Sequence, residues 1–372
     1  MFDDSIDEKL NQLVPAAEKY HLEVGYLRLT DAAPFVVAQE LGMFDQVGLN
    51  VELRQEISWA NIRDKLVSGA LDAAQMLAPL PAMITLGASG LRAPILTGLV
   101  LSNHGNAITL SQDVWQEASQ IITQGECASV LEALHLYARQ KPHLLTFATV
   151  HAFSSHTLLL RRWLSAGGID PDRDIKLLVV PPSQMVDSLQ TGVIDGYCVG
   201  EPWNTIGVKS GMGVVVALGS EIWPGAPEKV LGVSASWHQQ HPQAHLRLRL
   251  ALLRACQWLA DSRHTAEAAR ILSLSCYLDM PVDNLLPSLT GELIMPGGDV
   301  DASVPDFHLF FGNNLNCPDF TATVQMIEAC AELLGRPIDV SMVRSLAAQS
   351  CRADLYKQTT AVLSALQEDV TL

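Results

Sequence analysis

Residues 64–73, DKLVSGALDA, recur 123 positions later as residues 187–196, DSLQTGVIDG. The register continues beyond the repeat, since Pro79 corresponds to Pro202. Each copy has the pattern of a helix end, a glycine in the left-handed position after it, a short buried strand and a proline-marked loop. Two such copies predict two similar α/β lobes. Ligands of open α/β sheets bind outside the carboxyl ends of the strands, so we expect a ligand site there, between the lobes.

The composition is typical of an acidic α/β protein. The chain has 372 residues, which is room for two domains of ordinary size, and 48% of the residues are hydrophobic. With 24 Lys and Arg against 40 Asp and Glu, the formal net charge is -16. Such a surface lacks the broad basic patch that phosphates require, so we expect no direct binding of nucleic acid. A small anion could bind only at a local positive site built against the overall field.

The start of the chain and its cysteines favour a cytoplasmic location. Residues 1–8, MFDDSIDE, are acidic and lack the basic and apolar regions of a signal peptide. Because no apolar run approaches the roughly 20 residues that span a bilayer, we expect no association with the membrane. The seven cysteines form no close CxxC pair, which favours reduced thiols.

Alternating strand and helix patterns divide the chain into two lobes. Residues 1–20 are predicted to form a short acidic helix or a mobile tail. We expect lobe one to comprise residues 21–110 together with 215–372, and lobe two to comprise residues 111–214. The chain would then cross between the lobes twice, and that double crossover makes a hinge and a ligand cleft.

Three local patterns bear on the site. Thr30 and Asp31 offer a cap for a helix over residues 33–41. Residues 93–101 are predicted to form one hydrophobic strand. The Ser-Ser-His stretch at 154–156 caps a further helix in lobe two.

Several stretches together resemble one protein family. They are residues 29–34 (LTDAAP), the Ser58-Trp59 loop, residues 179–185 (VVPPSQM), residues 198–204 (CVGEPWN) and residues 227–232 (PEKVLG). Over roughly residues 21–260 the chain is similar to the NrtA- and CmpA-like nitrate- and bicarbonate-binding proteins of ABC transporters. The resemblance implies a type II periplasmic-binding-protein fold.

Residues 1–8, which lack the pattern of a signal peptide, indicate which members of the family the chain resembles most. Because the exported relatives have signals, the chain most resembles the NasS-type cytoplasmic nitrate/nitrite sensors. Those proteins hold a NasT-type, RNA-binding antiterminator inactive until the anion arrives.

The resemblance implies four ligand-binding residues. Trp59 falls where the nitrate binders have a tryptophan that lines the cleft. Asn106 falls at, or one place from, a glutamine that hydrogen-bonds the anion, and His156 matches a histidine at the start of the lobe-two helix. Lys229 matches a lysine that supplies positive charge to nitrate. Bicarbonate relatives are expected to have an acidic residue there, so Lys229 favours nitrate or nitrite over bicarbonate with a metal.

The same four residues suit the chemistry without the family. A flat monovalent anion needs hydrogen-bond donors and a compensating charge in a partly dry cleft. Lys229 supplies the positive charge, and His156 supplies a hydrogen-bond donor at a helix N-terminus. Asn106 offers an amide, and the ring of Trp59 offers a surface on which the planar ligand can stack. Taken singly, each has a commoner role as a solvated lysine, a helix cap, a turn residue or a core tryptophan. The occurrence of all four residues together favours a binding site over these separate roles.

An enzyme is the main rival interpretation. His238, His241 and His245 have a spacing that could seat a metal on one helix face, but no nearby acid completes an HExxH motif. The sequence has no GxSxG, Walker or GxGxxG unit, and no cysteine has the context of a nucleophile. We therefore expect a binding protein with no catalytic residues, no metal and no cofactor.

The sequence thus predicts a cytoplasmic, two-lobed receptor for nitrate or nitrite. The anion would bridge Lys229 on lobe one and His156 on lobe two, and closure would release the antiterminator that recognises the open form. Two alternatives of the same fold stay open. One is the substrate-binding component of an ABC transporter for nitrate or another small anion, and the other is a binder of thiamine precursors or sulfonates.

Overall fold

A computed structural model describes residues 5–88, 90–296, 302–335 and 337–368. In chain order its strands are β1 (His21–Leu27), β2 (Asn50–Glu56), β3 (Ala73–Leu77), β4 (Ile95–Leu96), β5 (Val100–His104), β6 (Asn106–Ser111), β7 (Leu145–Thr149), β8 (Ile175–Val179), β9 (Gly196–Gly200), β10 (Gly213–Leu218), β11 (Pro227–Ser234), β12 (Glu292–Leu293), β13 (Ala302–Ser303) and β14 (His308–Leu309).

The helices are α1 (Ser5–Leu13), α2 (Ala33–Glu40), α3 (Trp59–Ser68), α4 (Leu80–Leu86), α5 (Gln112–Thr123), α6 (Val130–Gln140), α7 (Ser155–Ala166), α8 (Met185–Gln190), α9 (Trp203–Lys209), α10 (Gly219–Ile222), α11 (Ala235–Gln240), α12 (Pro242–Leu259), α13 (Thr265–Leu272), α14 (Val282–Thr290), α15 (Phe320–Leu333), α16 (Val340–Ser350) and α17 (Ala353–Glu368). None of the described helices combines the length and the apolar character needed to cross a membrane.

The chain divides into two units. The first contains the chain up to Asn103, Pro227–Asp279 and the chain from Leu309 onward, and the second contains His104–Ala226 and Met280–His308. These five alternating segments mean that the chain passes between the units four times, rather than the two times expected from the sequence.

Strand pairing explains where the unit boundaries differ from those predicted. β6 pairs with β10 in antiparallel register, with Leu218 opposite Ala107, so both strands belong to the second unit. The prediction had placed residues 104–110 and 215–226 in lobe one. The structure also places residues 280–308 in the second unit, whereas the prediction placed them in lobe one. One contact of this segment joins α9 to α14, where Lys209 Nζ donates to the carbonyl of Asp283 at 2.5 Å.

The first unit is built around a mixed sheet with the strand order β14-β5-β11-β3-β1-β2, and β4 adds to β11. β1 runs parallel to β2 and β3, whereas β11 runs antiparallel to β3. The central strands are apolar, and β3 is buried at every position. α2 and α12 pack beside them in one hydrophobic core, as expected for strands that are covered on their faces.

The second unit repeats this arrangement. Its sheet has the order β10-β6-β9-β7-β8, in which β7 runs parallel to β8 and β9 while β6 runs antiparallel to β9. β7, β8, β9 and β6 thus correspond to β1, β2, β3 and β11. Helices α5, α6 and α7 supply the rest of a separate hydrophobic core.

The repeated sequence makes the same local structure in both units. Gly69 and Gly192 follow helix ends with φ of 78° and 68°, a conformation that glycine adopts without strain. Asp72 accepts a hydrogen bond from the backbone N–H of Glu23 at 2.9 Å, and Asp195 accepts one from Thr146 at 2.7 Å. In each unit an aspartate therefore ties the start of one parallel strand to its neighbour.

The N-terminal segment is a docked helix rather than a mobile tail. Leu10 and Val14, in and just after α1, are buried in the core of the first unit. The buried guanidinium of Arg247 donates to the carbonyl of Val14 at 3.3 Å and to the carbonyl of Val47 at 2.7 Å. These bonds attach the segment to α12.

The single strand predicted over residues 93–101 is two strands, β4 and β5, which both pair with β11. Between them the backbone of Thr97 leaves the sheet. Its N–H donates to the carbonyl of Ser350 at 2.8 Å, and its carbonyl accepts from the N–H of Arg352 at 2.9 Å. Pairing with this distant segment is a tertiary effect that the hydrophobic run did not indicate.

Candidate functional site

Three chain segments bring functional side chains to the carboxyl edge of the parallel strands in the first unit. Asp31 follows β1, and Trp59 begins the helix that follows β2. β11 runs in the opposite direction, and its register places Lys229 opposite Leu77, the last residue of β3. The carboxyl edge is where open α/β sheets hold their ligands.

Lys229 is fully buried, which is unusual for a lysine and argues against a solvated surface role. Its Nζ lies 2.7 Å from Oδ2 of Asp31 and 2.6 Å from Oε1 of Glu228. The same Nζ lies 5.3 Å from the centre of the Trp59 ring, within the range of a cation–π contact. Lys229 and Trp59, both predicted from the family resemblance, therefore lie side by side.

Glu228 and Lys229 are neighbours in the chain, and neighbouring strand residues normally point to opposite faces of a sheet. The register of β11 against β5 shifts between Pro227 and Lys229 and again before Val230. Such irregularities re-aim side chains next to functional sites. Here the two side chains meet.

Asp31 has a different role from the helix cap that the sequence predicted. The residue before α2 is Ala32, which makes no capping bond. The carboxylate of Asp31 instead faces Lys229 and also accepts a hydrogen bond from Nε2 of Gln75 at 2.5 Å. Gln75 is held in turn by the N–H of Leu27, which donates to its Oε1 at 3.1 Å. This network fixes the carboxylate in the core.

The electrostatics of this cluster follow from burial. Burial raises the pKa of Asp31, and Lys229, which lowers that pKa, does not fully offset the effect. Burial alone would lower the pKa of Lys229, but Asp31 and Glu228 outweigh it and leave that pKa above its ordinary value. The ammonium is therefore charged at neutral pH, and with both carboxylates ionised the cluster has a net charge of -1.

Three hydrogen-bond donors on the segments that contact Lys229 are buried. They are Nε1 of Trp59, Oγ1 of Thr30 and Oγ of Ser102, which lies opposite Lys229 in the sheet. None of the three has a hydrogen-bond partner among the residues that the structure describes. Buried donors are nearly always satisfied, so this group indicates a place where a ligand with acceptor oxygens binds.

Asn106 occupies the equivalent strand position in the second unit. It begins β6 opposite Gly200, just as Lys229 lies opposite Leu77 in the first unit. The turn expected at Asn106 lies before it, at His104 and Gly105, whose φ values are 60° and 75°.

The side chain of Asn106 is buried against Gly219 at the start of α10. A Cβ at Gly219 would overlap Oδ1 of Asn106, so only glycine leaves room for the amide. The same Cβ would also touch Leu159 of α7.

His156 lies in the first turn of α7, as the sequence predicted. Ser154 is the residue that caps this helix, accepting a hydrogen bond from the N–H of Thr157 at 3.0 Å. The imidazole of His156 is fully buried. Next to it, Oγ of Ser155 is buried without a partner among the described residues. The first turn of a twelve-residue helix also presents backbone N–H groups to an anion.

Glu201 is a buried acid of the second unit. It accepts a hydrogen bond from the N–H of Thr205 at 3.2 Å, and burial raises the pKa of its carboxyl to about 7. Apolar residues of β6, β10 and α14 surround a small cavity beside it.

The structure thus places two predicted residues, Trp59 and Lys229, together in the first unit, and the other two, Asn106 and His156, in the second. Sequence reasoning missed the roles of Asp31, Gln75 and Glu228. A signal for Gln75 was available, since it is the polar residue in an otherwise apolar strand. Asp31 and Glu228 stood in the stretches that carry the family resemblance.

The histidines considered for a metal site have another arrangement. Nδ1 of His245 lies 3.0 Å from Nδ1 of His238, and Nη1 of Arg249 lies 3.2 Å from the same atom of His245. A guanidinium has only donors, so Nδ1 of His245 accepts a hydrogen bond and faces a fixed positive charge. That environment is unfavourable for a metal ion.

Among the described residues, one set of potential metal ligands lies close together, namely His21, Glu23 and Glu52, of which His21 and Glu52 are exposed. The guanidinium of Arg54 is bound to both glutamates, at 3.0 Å from Oε1 of Glu23 and 2.7 Å from Oε1 of Glu52. An arginine therefore already neutralises these carboxylates, and they form a surface ion-pair network.

Comparison with known proteins gives a consistent picture. Residues 15–273 match the NMT1-like family. Over 305 residues, 81% of this chain, the sequence is 42% identical to the nitrate import ATP-binding protein NrtC of Synechocystis sp., and the match covers 44% of that protein. It is 39% identical over 342 residues to the bicarbonate transport ATP-binding protein CmpC of the same organism, covering 91% of this chain and 50% of CmpC. The chain thus spans about half the length of these curated relatives.

Among solved structures, the fold is similar to the periplasmic nitrate-binding protein NrtA from Synechocystis PCC 6803. The TM-score is 0.85 with 26% identity, over 94% of this chain and 90% of NrtA. The α/β, two-domain, periplasmic-binding-protein-like fold predicted from the sequence is therefore confirmed.

Proposed function

Because the chain belongs to the NMT1-like family, we propose that it is a substrate-binding protein of ABC-type transport whose ligand is a small planar oxyanion, nitrate or nitrite. The observation that carries the proposal is the buried Lys229, together with the unpartnered buried donors on the segments that contact it. The relatives that transport or bind nitrate and bicarbonate support the same class of ligand.

The donor set suits a flat anion. An ammonium has three N–H donors, and two of those of Lys229 point to Asp31 and Glu228, which leaves one for the ligand. Nε1 of Trp59 and the hydroxyl of Thr30, which precedes Asp31 in the chain, are further buried neutral donors on the segments that contact Lys229. Asn106 and His156 remain predicted ligand contacts, each buried at the corresponding edge of the second unit. Donors of this kind satisfy the oxygens of nitrate without a metal.

The affinity should be modest. A small anion must be stripped of water, and the carboxylates of Asp31 and Glu228 offset the charge of Lys229. We expect a dissociation constant in the micromolar range, which corresponds to about -8 kcal/mol.

Calorimetric titration with nitrate, nitrite, bicarbonate and sulfate tests the proposal. Lys229→Glu should abolish nitrate binding, and Trp59→Phe, which keeps the ring but removes the N–H donor, should weaken it about tenfold. The exposed lysine Lys357 provides the matched control, since Lys357→Glu makes the same charge reversal away from the site. Far-UV circular dichroism shows whether each variant is folded.

Two results would contradict the assignment. The first is nitrate binding that is unchanged in both folded site variants. The second is a clear preference of the wild type for bicarbonate over nitrate and nitrite, which would identify the ligand as the one named for CmpC and CmpA.

A cytoplasmic sensor of the NasS type is the second candidate. All seven cysteines are free thiols, which favours a reducing compartment such as the cytoplasm. In this proposal the protein holds a NasT-type antiterminator until nitrate or nitrite binds. Ligand and partner must then oppose each other by the same factor, typically about 1–3 kcal/mol.

A pull-down from cell extract separates the two candidates. The sensor should retain an RNA-binding antiterminator protein without nitrate and release it when nitrate is added. Retention of no such protein, together with nitrate-dependent stimulation of a reconstituted ABC transporter, would favour the transport component.

A further inference from the structure

Lys229 is the residue that should attract an anion, yet it is not a bare positive charge. Asp31 and Glu228 both contact its ammonium, at 2.7 and 2.6 Å. We infer that the site takes up one proton with each anion, and that the proton binds to the carboxyl pair formed by Asp31 and Glu228. This inference rests on the proposed function, namely that an oxyanion binds beside Lys229.

The geometry makes the two carboxylates compete for one cation. Their oxygens contact the same Nζ, so they lie within two hydrogen-bond lengths of each other. The side chains of Lys229, Asp31 and Glu228 are 0%, 1% and 2% exposed, so water screens the repulsion between the carboxylates very little. Two carboxylates that share a site cannot both ionise easily, and one of them holds a proton more tightly than usual.

A bound anion makes one of the carboxylates hold its proton still more tightly. With both carboxylates ionised the cluster has a charge of -1, and a bound nitrate would bring the total to -2 in a buried place. Adding one proton from solvent, by forming one O–H bond on a carboxylate oxygen, restores the total to -1. The new O–H group is also a hydrogen-bond donor, and it can donate to an oxygen of the anion.

Neighbouring charged groups do not replace this proton. On α3, Lys65 is bound to Glu56 of β2 at 2.5 Å. After β1, Arg28 donates to the carbonyl of Leu278 at 2.8 Å.

Among the described residues, the charged groups with the largest effects on the cluster are its own members. Those that act on Asp31 are Lys229 and Glu228, and those that act on Lys229 are Asp31 and Glu228. The pKa of Asp31 is raised because burial outweighs the attraction of Lys229, which is the direction that proton uptake requires.

The number of protons can be measured directly on the wild-type protein. Nitrate is titrated calorimetrically in buffers of different ionisation enthalpy at several pH values between 6 and 10. Uptake should reach about one proton per nitrate, and where it does the dissociation constant should rise about tenfold per pH unit. A proton number near zero at every pH, with nitrate binding intact, would overturn the inference.

Glu228→Gln tests which groups hold the proton. The amide leaves Lys229 and Asp31 as a neutral pair, so the variant should bind nitrate without taking up a proton. At pH 9 it should bind at least tenfold more tightly than the wild type. Glu267→Gln, at an exposed carboxylate of α13, should keep the proton uptake of the wild type. Unchanged proton uptake in folded Glu228→Gln would also overturn the inference.

These outcomes are distinct from failure of the proposed function. If neither the wild type nor Glu228→Gln binds nitrate or nitrite at any pH, the ligand assignment is wrong. If both bind and no proton is taken up, the ligand assignment survives and the proton coupling is wrong.

Discussion

Replacing Lys229 with methionine should destabilise the ligand-free protein by about 3–5 kcal/mol at pH 8. The methionine keeps most of the aliphatic stem, so the change removes chiefly the ammonium. Asp31 and Glu228 each lose a contact shorter than 3 Å to the one cation that they share. Breaking a buried ion pair by deleting one partner has this cost because a buried charge stays uncompensated.

The loss of stability caused by Lys229→Met should become smaller as the pH falls. Burial already raises the pKa of Asp31, and deletion of Lys229 removes the main influence that lowers it. A carboxyl whose folded-state pKa is raised stabilises the fold below its unfolded-state pKa, near 4, and loses that contribution as the pH rises through the folded-state value. Lys229→Met should therefore approach the wild type near pH 5 and differ most at pH 8 and above.

Urea unfolding at pH 5 and pH 8, followed by tryptophan fluorescence and circular dichroism, measures both effects. The control is Lys357→Met at an exposed position, which should stay within about 0.5 kcal/mol of the wild type. A loss below about 1 kcal/mol at pH 8, or a larger loss at pH 5 than at pH 8, would refute the ion-pair argument.

Two further changes in stability can be measured in the same way. Gly219→Ala should lower the free energy of unfolding by about 1–3 kcal/mol, because its Cβ would overlap the amide of Asn106. The control Gly312→Ala has open space around it and should be close to neutral. Equal effects of the two substitutions would contradict the packing argument. Burial, a nearby arginine and His238 keep the pKa of His245 well below its ordinary value, so in acid the unfolded chain binds a proton that the folded protein does not. Below about pH 6.5 the wild type should therefore lose up to about 1.4 kcal/mol of stability per pH unit through His245. His245→Gln should reduce that slope between pH 6.5 and 5, and an unchanged slope would assign the acid sensitivity to other groups.

Local features of the sequence determined much of the fold. The repeat placed Gly69 and Gly192 after helix ends and Asp72 and Asp195 before buried strands, because helix termination and short apolar strands depend on residues close in the chain. The family motifs indicated Trp59 and Lys229, which the structure brings within a cation–π distance. The sequence alone thus determined two similar α/β units, and it indicated Lys229 as the cation of the predicted site.

Tertiary structure decided the charge state around that cation and the course of the chain between units. Asp31 had the local pattern of a helix cap, yet its carboxylate contacts Lys229, nearly 200 residues later, because β11 inserts beside β3. Residues 280–308 joined the second unit through α14 and α9, which no local pattern encoded. Which side chains share a buried place depends on strand order and register, and these are settled only when distant segments pair.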